Sequence, residues 1–186
     1  ETETLTTEDQ QELATFELSA AALPASPTNR VADDAAAAAL GRTLFFDRGL
    51  SSDGTVAYVD CHAPEDGFAD ARRVSEGIDE RDGRRHALPI TSAALLPFLM
   101  WDGRADTVWR QPLLALENER EMNFTRVEVA RFVAERHGDA YEAVFGPLPD
   151  LAELPERGRP GDDGWDAMTQ DQRDAVQIVF VDVGKA

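Results

Sequence analysis

Apolar residues recur along this chain at intervals of three and four, the spacing of helices that bury one face. The clearest case is the segment 125–137, where Thr125 and Glu128 have the spacing of a helix capping box. Asp33 and Asp34 open an alanine-rich segment, where acidic residues favour the positive end of a helix dipole. Helices are therefore predicted over 6–22, 33–47, a short stretch from residue 58, 107–117, 125–137, 139–145 and from residue 169 onward.

The segments between these helices carry the signals of turns and loops. Residues 23–30 are a Pro-rich linker, and residues 48–57 are a loop. Residues 64–88 are polar and rich in Gly and Arg, which indicates a long functional loop that a bound cofactor would help to order. Residues 146–164 are rich in Pro, Gly and Asp and are predicted to be a surface excursion, while Pro112 predicts a kink or a restart in its helix.

The chain has 186 residues, which suits one domain or one and a half, and its 42% of apolar residues is enough for a buried core. The predicted organisation is an N-terminal helix and Pro-rich linker over 1–32, followed by an all-α domain over 33–186. No apolar run approaches the length of a membrane span. No signal peptide is present, and the start at Glu1 would fit a mature chain whose signal has been removed.

The formal net charge of −18 argues against nucleic acid and anionic membrane surfaces as partners. The same charge is compatible with docking a basic redox partner, and equally with solubility alone. Cys61 is the only cysteine, so an internal disulfide is excluded.

The segment Tyr58-Val59-Asp60-Cys61-His62 has the form of a c-type haem attachment motif without its first cysteine. In the complete C-x-x-C-H motif two thiols add to the haem vinyl groups and the histidine ligates iron. Here at most one thioether can form, through Cys61, and His62 is the predicted iron ligand. The alternatives are a structural histidine and a free buried thiol. Tyr58, which replaces the first thiol, is expected to pack against the porphyrin rim.

Further sequence blocks surround this motif in a characteristic order. They are Leu-Gly-Arg-Thr-Leu-Phe-Phe-Asp at 40–47, the stretch 63–70 ending in Gly-Phe-Ala-Asp, Gly-Arg-Arg-His-Ala at 83–87, Trp-Asp-Gly-Arg at 101–104 and Glu-Met-Asn at 121–123. Together they resemble the N-terminal haem domain of the bacterial di-haem cytochrome c peroxidase/MauG family, from about Ala35 to Ala186. The resemblance implies a cytochrome c-like all-α haem domain with long loops, carrying haem c. It also implies a periplasmic or otherwise extracytoplasmic location, because c-type haem is attached there.

The resemblance also assigns residues to a pocket on the far side of the haem. Glu121 and Gln111 match positions where a carboxylate moves a proton between the oxygens of a bound peroxide and an amide hydrogen-bonds the peroxide. Trp101 matches a tryptophan that relays electrons between two haems. The alternatives are a solvated surface carboxylate for Glu121 and a core aromatic for Trp101.

The arginines near these blocks suit the carboxylates of haem propionates. Arg84, Arg85 and Arg104 are candidates, and Arg104 could instead hold its loop by an ion pair with Asp102. His86 stands where many members of the family have an asparagine that contributes to a calcium site. Histidine is a poor calcium ligand, which argues against calcium here. An alternative role for His86 is that of a second iron ligand.

The function that the resemblance implies is that of a haem-dependent oxidoreductase. It would reduce hydrogen peroxide, or use it to oxidise a partner, with electrons relayed from a second haem. The second haem domain of the family, with its own attachment motif, is absent from this chain, so it or a redox partner protein would be required. Retention of Glu121, Gln111 and Trp101 favours an enzyme. Tyr58 and the missing second motif favour the alternative, a non-catalytic electron-transfer or structural subunit of a larger redox assembly.

Overall fold

The computed structural model describes residues 5–15 and 23–186, and this part of the chain is mainly helical. The helices are α1 (Thr7–Ala14), α2 (Ala35–Phe46), α3 (Tyr58–Cys61), α4 (Arg110–Glu117), α5 (Arg126–Arg136), α6 (Gly138–Phe145), α7 (Asp163–Asp166) and α8 (Gln170–Lys185). Short 3₁₀ turns lie at Arg48–Leu50, Pro64–Asp66, Ile78–Glu80 and Ala93–Leu95. Extended pairing within the described ranges is confined to three isolated bridges, Ala63 with Ala69, Glu76 with Asp82 and Leu99 with Ala105. The all-α prediction is confirmed.

Local capping signals explain where several helices begin. The Asp34 carboxylate accepts the free backbone N–H groups of Ala36 and Ala37 at 2.7 and 3.1 Å, so α2 starts directly after it. Helix α4 begins at Arg110, three residues later than predicted. Pro112 is therefore its third residue, in the first turn, where a missing N–H leaves no helical hydrogen bond unmade. Pro112 therefore does not kink α4, and its place in the first turn agrees with the other predicted alternative, a restart of the helix.

The core forms where α8 packs against α4 and α5, while α2 packs mainly on α6. The apolar face predicted for the last helix is buried there through Val176, Val179 and Phe180. Arg126 lies over the Phe180 ring and forms two hydrogen bonds to Glu117 of α4 at 2.9 and 3.1 Å, which ties the three helices together. In the described part of the chain no helix is both long and apolar enough to cross a membrane.

The N-terminal helix is shorter than predicted within the described residues. A capping box between Thr6 and Asp9 starts α1, as the sequence indicated, and the helix ends at Ala14 without burying a residue. The remainder of the predicted helix, including Phe16 and Leu18, lies outside the described residues.

The segment 146–164 is only in part the surface excursion that its composition predicts. Leu154 is 6% exposed and belongs to the core, and Gly158 is buried. The Gly158 carbonyl accepts the Val127 N–H at 3.2 Å, and the Gly158 N–H donates to the Thr125 hydroxyl at 3.1 Å. The segment thus closes over the start of α5, because its backbone supplies partners for polar groups that are buried there.

We expect Thr125→Ala to lower the free energy of unfolding by about 2–3 kcal/mol, because it removes a helix cap and leaves the buried Gly158 N–H without an acceptor. The Thr125 side chain is fully buried, whereas Thr169, which caps α8 in the same way, is exposed. Thr169→Ala is therefore the matched control and should cost only about 1 kcal/mol. Urea denaturation followed by circular dichroism measures both, and equal losses would contradict the special role of Thr125.

Candidate functional site

Helix α3 is a single turn that ends at Cys61 and places His62 at its C-terminal cap. The Asp60 carboxylate accepts the Ala57 N–H at 2.8 Å and pairs with Arg48 at 2.6 Å, so both ends of the turn are anchored. The sequence predicted a short helix from Tyr58 that positions His62, and this prediction is confirmed.

The His62 ring is oriented by the backbone of the loop that follows it. Its Nδ1 lies 3.2 Å from the Phe68 carbonyl oxygen, to which it donates. In a neutral ring that donates through Nδ1, the lone pair is carried by Nε2. Burial lowers the pKa of His62, although the Phe68 and Leu88 carbonyls and the Asp70 charge act in the opposite direction. A neutral imidazole with an available nitrogen is the form that ligates a metal.

Cys61 carries a free, half-buried thiol beside this histidine. Burial raises the pKa of Cys61 to about 11, and the charges of Asp70, Glu121 and Asp60 add to the effect, while a hydrogen bond with Ser75 opposes it. The sulfur is therefore a neutral thiol at neutral pH, unlike the thiolate of a reactive catalytic cysteine.

Tyr58, which replaces the first cysteine of the motif, is engaged by protein groups. Its hydroxyl donates to the Pro112 carbonyl at 2.8 Å, and its ring stacks on Phe45 with centroids 6.2 Å apart. Burial, with the Glu121 charge as a lesser cause, raises the pKa of Tyr58 far above its ordinary value, so the phenol keeps its proton. Tyr58 thereby links α3 to α2 and α4 through two contacts that the smaller side chain of a cysteine could not make.

Glu121 lies in the same neighbourhood, since its charge acts on both Tyr58 and Cys61. Asn118 Nδ2 donates to one of its carboxylate oxygens, Oε1, at 2.6 Å. Burial raises the pKa of Glu121, while Arg104 and the Asn118 hydrogen bond partly offset this effect. The interpretation of Glu121 as a plain solvated surface carboxylate is wrong, because the charged run 117–121 turns this side chain inward.

Gly77 permits the close approach that holds Glu121 in place. The neighbouring Ile78 N–H donates to the Glu121 carbonyl at 2.9 Å. A Cβ atom added at Gly77 would lie 2.7 Å from that carbonyl oxygen and closer still to the Arg120 carbonyl. The loop 64–88 therefore packs directly on the segment that carries Glu121.

The remaining candidates lie on two loops that are tied together. Trp101 Nε1 donates to the His86 carbonyl at 3.0 Å, and Arg85 donates to the Asp102 carboxylate at 3.2 Å. Arg104 donates to both oxygens of Asp102 at 2.8 Å, so the predicted ion pair is present. Trp101 is 61% exposed, which makes its interpretation as a core aromatic wrong.

Gln111 and Arg84 are less closely tied to the other candidates. The Gln111 amide donates to the Met100 sulfur at 3.6 Å from the first turn of α4. Arg84 is exposed. Their roles in contacting peroxide and a haem propionate stay predictions.

The His86 ring is held by its own loop, with Nδ1 2.9 Å from the Arg72 carbonyl oxygen. Among the described residues no group of three or more His, Cys, Asp and Glu side chains is placed to hold a metal ion. The argument against calcium at His86 and the alternative of iron ligation by His86 both stay untested.

Sequence reasoning missed several polar residues beside the Cys61–His62 pair. Asp70 and Ser75 are both buried and act on the Cys61 thiol, and Asn118 holds Glu121. Asp70 closes the Gly-Phe-Ala-Asp block that accompanies the motif, so its position was visible, but its burial was not.

Two open clefts lie beside the site rather than in it. One, of about 440 Å³, is lined by Arg81, Arg157 and Arg159 among others. The other, of about 650 Å³, touches α3 at Asp60 and is otherwise lined mainly by polar loop residues such as Asp53 and Glu76. The candidate site is therefore recognised by its donor groups, a thiol followed by a neutral imidazole, and this donor set fits a haem held by one thioether and one axial nitrogen.

Comparison with known proteins shows which proteins this chain is similar to in sequence and fold. The sequence profile of the family described as di-haem cytochrome c peroxidase matches residues 35–173. The methylamine utilization protein MauG of Methylophilus methylotrophus is 39% identical over 87 residues, which cover 47% of this chain and 26% of that protein. The cytochrome c551 peroxidase of Nitrosomonas europaea is 29% identical over 126 residues, which cover 66% of this chain and 38% of that protein.

Solved structures show the same fold. The di-haem peroxidase BthA of Burkholderia thailandensis superposes with a TM-score of 0.63 over 91% of this chain and 39% of that one, at 24% identity. A MauG-like protein associated with microbial copper homeostasis superposes with a TM-score of 0.61 over 89% of this chain and 43% of that one. The chain thus spans well under half the length of these relatives, and the cytochrome c-like fold class is confirmed.

Proposed function

This chain belongs to the di-haem cytochrome c peroxidase family, and on that premise we propose that it is the haem-binding part of an oxidoreductase that uses hydrogen peroxide. One observation carries the proposal: a half-buried carboxylate with a raised pKa, Glu121, lies within electrostatic reach of the thiol that precedes His62. Perturbed titratable groups placed beside a cofactor attachment point are characteristic of catalytic sites.

The residues around α3 would hold one haem c. His62 would ligate iron through Nε2, because the Phe68 carbonyl occupies Nδ1. Cys61 would form the single thioether, and Tyr58 would pack beside the porphyrin rim. Arg84, Arg85 and Arg104 are proposed to contact the propionates, Arg104 and Arg85 being held nearby through Asp102. Haem, when bound, supplies a redox-active iron that reacts with peroxide.

Glu121 and Gln111 are proposed to handle peroxide on the side of the haem opposite His62. Asn118 fixes Oε1 of Glu121, so Oε2 is the oxygen that would accept and return a proton. Burial keeps the proton affinity of this carboxyl above that of an ordinary glutamate, which suits a group that must both take up and release a proton. The Gln111 amide would hydrogen-bond the peroxide.

Trp101 is proposed to receive electrons from a second haem domain or redox partner protein. Its ring is exposed, and it stands among exposed large apolar side chains on the segment 88–108. These are Leu88, Leu96, Phe98 and Val108. Exposed apolar side chains gathered in one segment are typical of surfaces that meet another protein. A periplasmic location follows from haem c attachment.

Tyr58 supports a second candidate, a non-catalytic electron-transfer or structural subunit. Its hydroxyl donates to the Pro112 carbonyl and its ring stacks on Phe45, so the residue that stands in place of the first thiol contributes to packing. A domain that kept its haem for electron transfer alone would show the same feature. The two candidates differ in whether the haem-loaded protein turns over peroxide.

The first experiment is the mass of the intact protein together with its visible spectrum. We expect the mass to exceed that of the polypeptide by one haem after denaturation, with a Soret band, since one thioether can form at Cys61. The Cys61→Ser variant should keep a Soret band but lose the covalent mass. A wild-type protein that takes up no haem under conditions that mature other c-type cytochromes would overturn the proposal.

A further inference from the structure

The cleft of about 440 Å³ is a cationic hollow in a strongly acidic protein. Across the whole chain Asp and Glu outnumber Lys and Arg by 36 to 18. The lining of this cleft reverses the balance, since it contains Arg81, Arg157 and Arg159 against two carboxylates, Glu119 and Asp162. Most of the molecular surface repels anions, so a cleft with the opposite balance is where an anion would be held.

Three segments that are distant in sequence build this cleft. Arg81 comes from the loop that follows the attachment motif, Asn123 from the turn after α4, and Arg157 from the segment that closes over the start of α5. Gly164 lets that last segment fold back on itself, because a Cβ atom there would lie 2.6 Å from the Arg157 carbonyl oxygen. The three side chains therefore share one concave surface only after the chain has folded.

Arg159 is held in place by other protein groups. Its guanidinium donates to the Glu119 carboxylate at 2.7 Å and also to the Glu117 carbonyl, and its side chain is only 20% exposed. The charges of Arg159 and Glu119 therefore largely cancel. Arg159 shapes the cleft, and the attraction for an anion is left to the other two arginines.

Arg157 and Arg81 keep N–H donors that are available to a ligand. The nearest carboxylate oxygen to Arg157 is Oε2 of Glu128 at 3.8 Å, which is beyond hydrogen-bond distance, and that oxygen already accepts two bonds from Thr125. Arg81 pairs through one nitrogen, Nη2, with the exposed Asp79 carboxylate at 2.9 Å, and exposed pairs of this kind are weak. Both side chains are half exposed. The fork of N–H groups on a guanidinium matches the oxygens of a phosphate.

We propose that this cleft binds a phosphate-type oxyanion, held between Arg81 and Arg157 with the Asn123 amide as a further donor. A tetrahedral anion presents oxygens in several directions, so it can accept hydrogen bonds from three segments at once. The bound anion would join the segments on both sides of the turn that carries Glu121. The inference goes beyond the proposed function, because the cleft is separate from Cys61 and His62 and phosphate binding requires no haem chemistry.

Equilibrium dialysis of the purified haem-loaded protein against labelled inorganic phosphate tests the proposal. Ionic strength is held at about 0.1 M with sodium chloride, so that charges more than about 10 Å from the cleft are largely screened. We expect one saturable site per chain with a dissociation constant on the order of 1 mM. Arg157→Gln and Arg81→Gln should each weaken binding at least about tenfold, the usual effect of losing a hydrogen bond to a charged group. Both variants should keep the circular dichroism of the wild type, since these side chains are half exposed.

Arg73→Gln is the matched control, because it removes the same charge at an exposed position outside the cleft. It should change the affinity less than about twofold. Glu119→Gln should act in the opposite direction and tighten phosphate binding about threefold or more, since it removes a negative charge from the lining and releases an Arg159 N–H. Binding that does not saturate, or equal losses in the Arg73 and Arg157 variants, would overturn the inference and show an adventitious ion only.

Competition with glycerol 3-phosphate distinguishes the two sources of such an anion. If the ester displaces labelled phosphate at a lower concentration than unlabelled phosphate does, the site takes a phosphate monoester. If unlabelled phosphate is the better competitor, the site takes free phosphate. Displacement by sodium chloride at the same ionic strength as effectively as by either phosphate compound would contradict a phosphate site altogether.

Discussion

Replacing His62 with alanine is expected to weaken haem binding by more than about 100-fold. Losing only a residue that hydrogen-bonds a metal ligand already lowers metal affinity by about 10–100-fold, and here the ligand itself is removed. The ring is neutral, is held by the Phe68 carbonyl, and would offer Nε2 to iron. Titration of haem into His62→Ala in a Cys61→Ser background, where no thioether can mask the effect, measures the affinity directly by the Soret band.

His137→Gln in the same background provides the control for this experiment. His137 lies far along the chain from the attachment motif, and its Nε2 donates to the Asp47 carboxylate at 3.0 Å, a bond that the glutamine amide can replace. This variant should bind haem as tightly as its parent. Unchanged affinity and an unchanged spectrum in the His62 variant would show that another side chain ligates the iron.

Replacing Glu121 with glutamine is expected to lower peroxide turnover by about 10²–10⁴-fold, the usual contribution of a positioned acid–base group. Glutamine preserves the shape of the side chain and can still accept the Asn118 hydrogen bond through Oε1, so haem binding and folding should be unaffected. Steady-state turnover with a small-molecule electron donor checks the prediction. Glu119→Gln, at a residue two positions away whose side chain is 71% exposed, should retain wild-type turnover.

The pH dependence of turnover gives an independent check on Glu121. Burial raises its pKa, and the carboxylate that accepts the proton forms only as the pH rises through that raised value. Turnover should therefore be lost, as the pH falls, at a higher pH than an ordinary glutamate would give. The acid limb should disappear from the residual activity of Glu121→Gln. An acid limb that persists unchanged in this variant would assign the titration to a different group.

Many helix limits were visible in the sequence because they depend on neighbours a few residues away. The capping box of Thr125 and Glu128 starts α5 where it was expected, and Asp34 does the same for α2. The Cys61–His62 pair on a short helix was likewise visible, because the attachment motif is a local pattern. The start of α4 at Arg110 rather than at residue 107 puts Pro112 in the first turn, which the sequence pattern alone did not show.

The environment of the site residues was decided by the tertiary structure alone. Glu121 stands in a run of charges that is typical of a solvated face, yet its side chain is half-buried. Gly77, from a remote loop, packs against its backbone, and the nearby Asn118 donates a hydrogen bond to its carboxylate. Trp101 has the composition of a core residue but is exposed. Asp70 has the sequence character of a loop aspartate, yet its side chain is buried.

Local sequence signals thus determined the helical architecture and the family, since capping, periodicity and motif spacing act within a few positions. Burial, pKa shifts and the pairing of loops depend on which distant segments pack together. Two such packings decide the environment of these residues: residues 64–88 pack on the segment that carries Glu121, and residues 146–164 pack over the start of α5. Desolvation is a property of the packed chain, so the chemical character of Glu121 and Cys61 could be seen only in the folded structure.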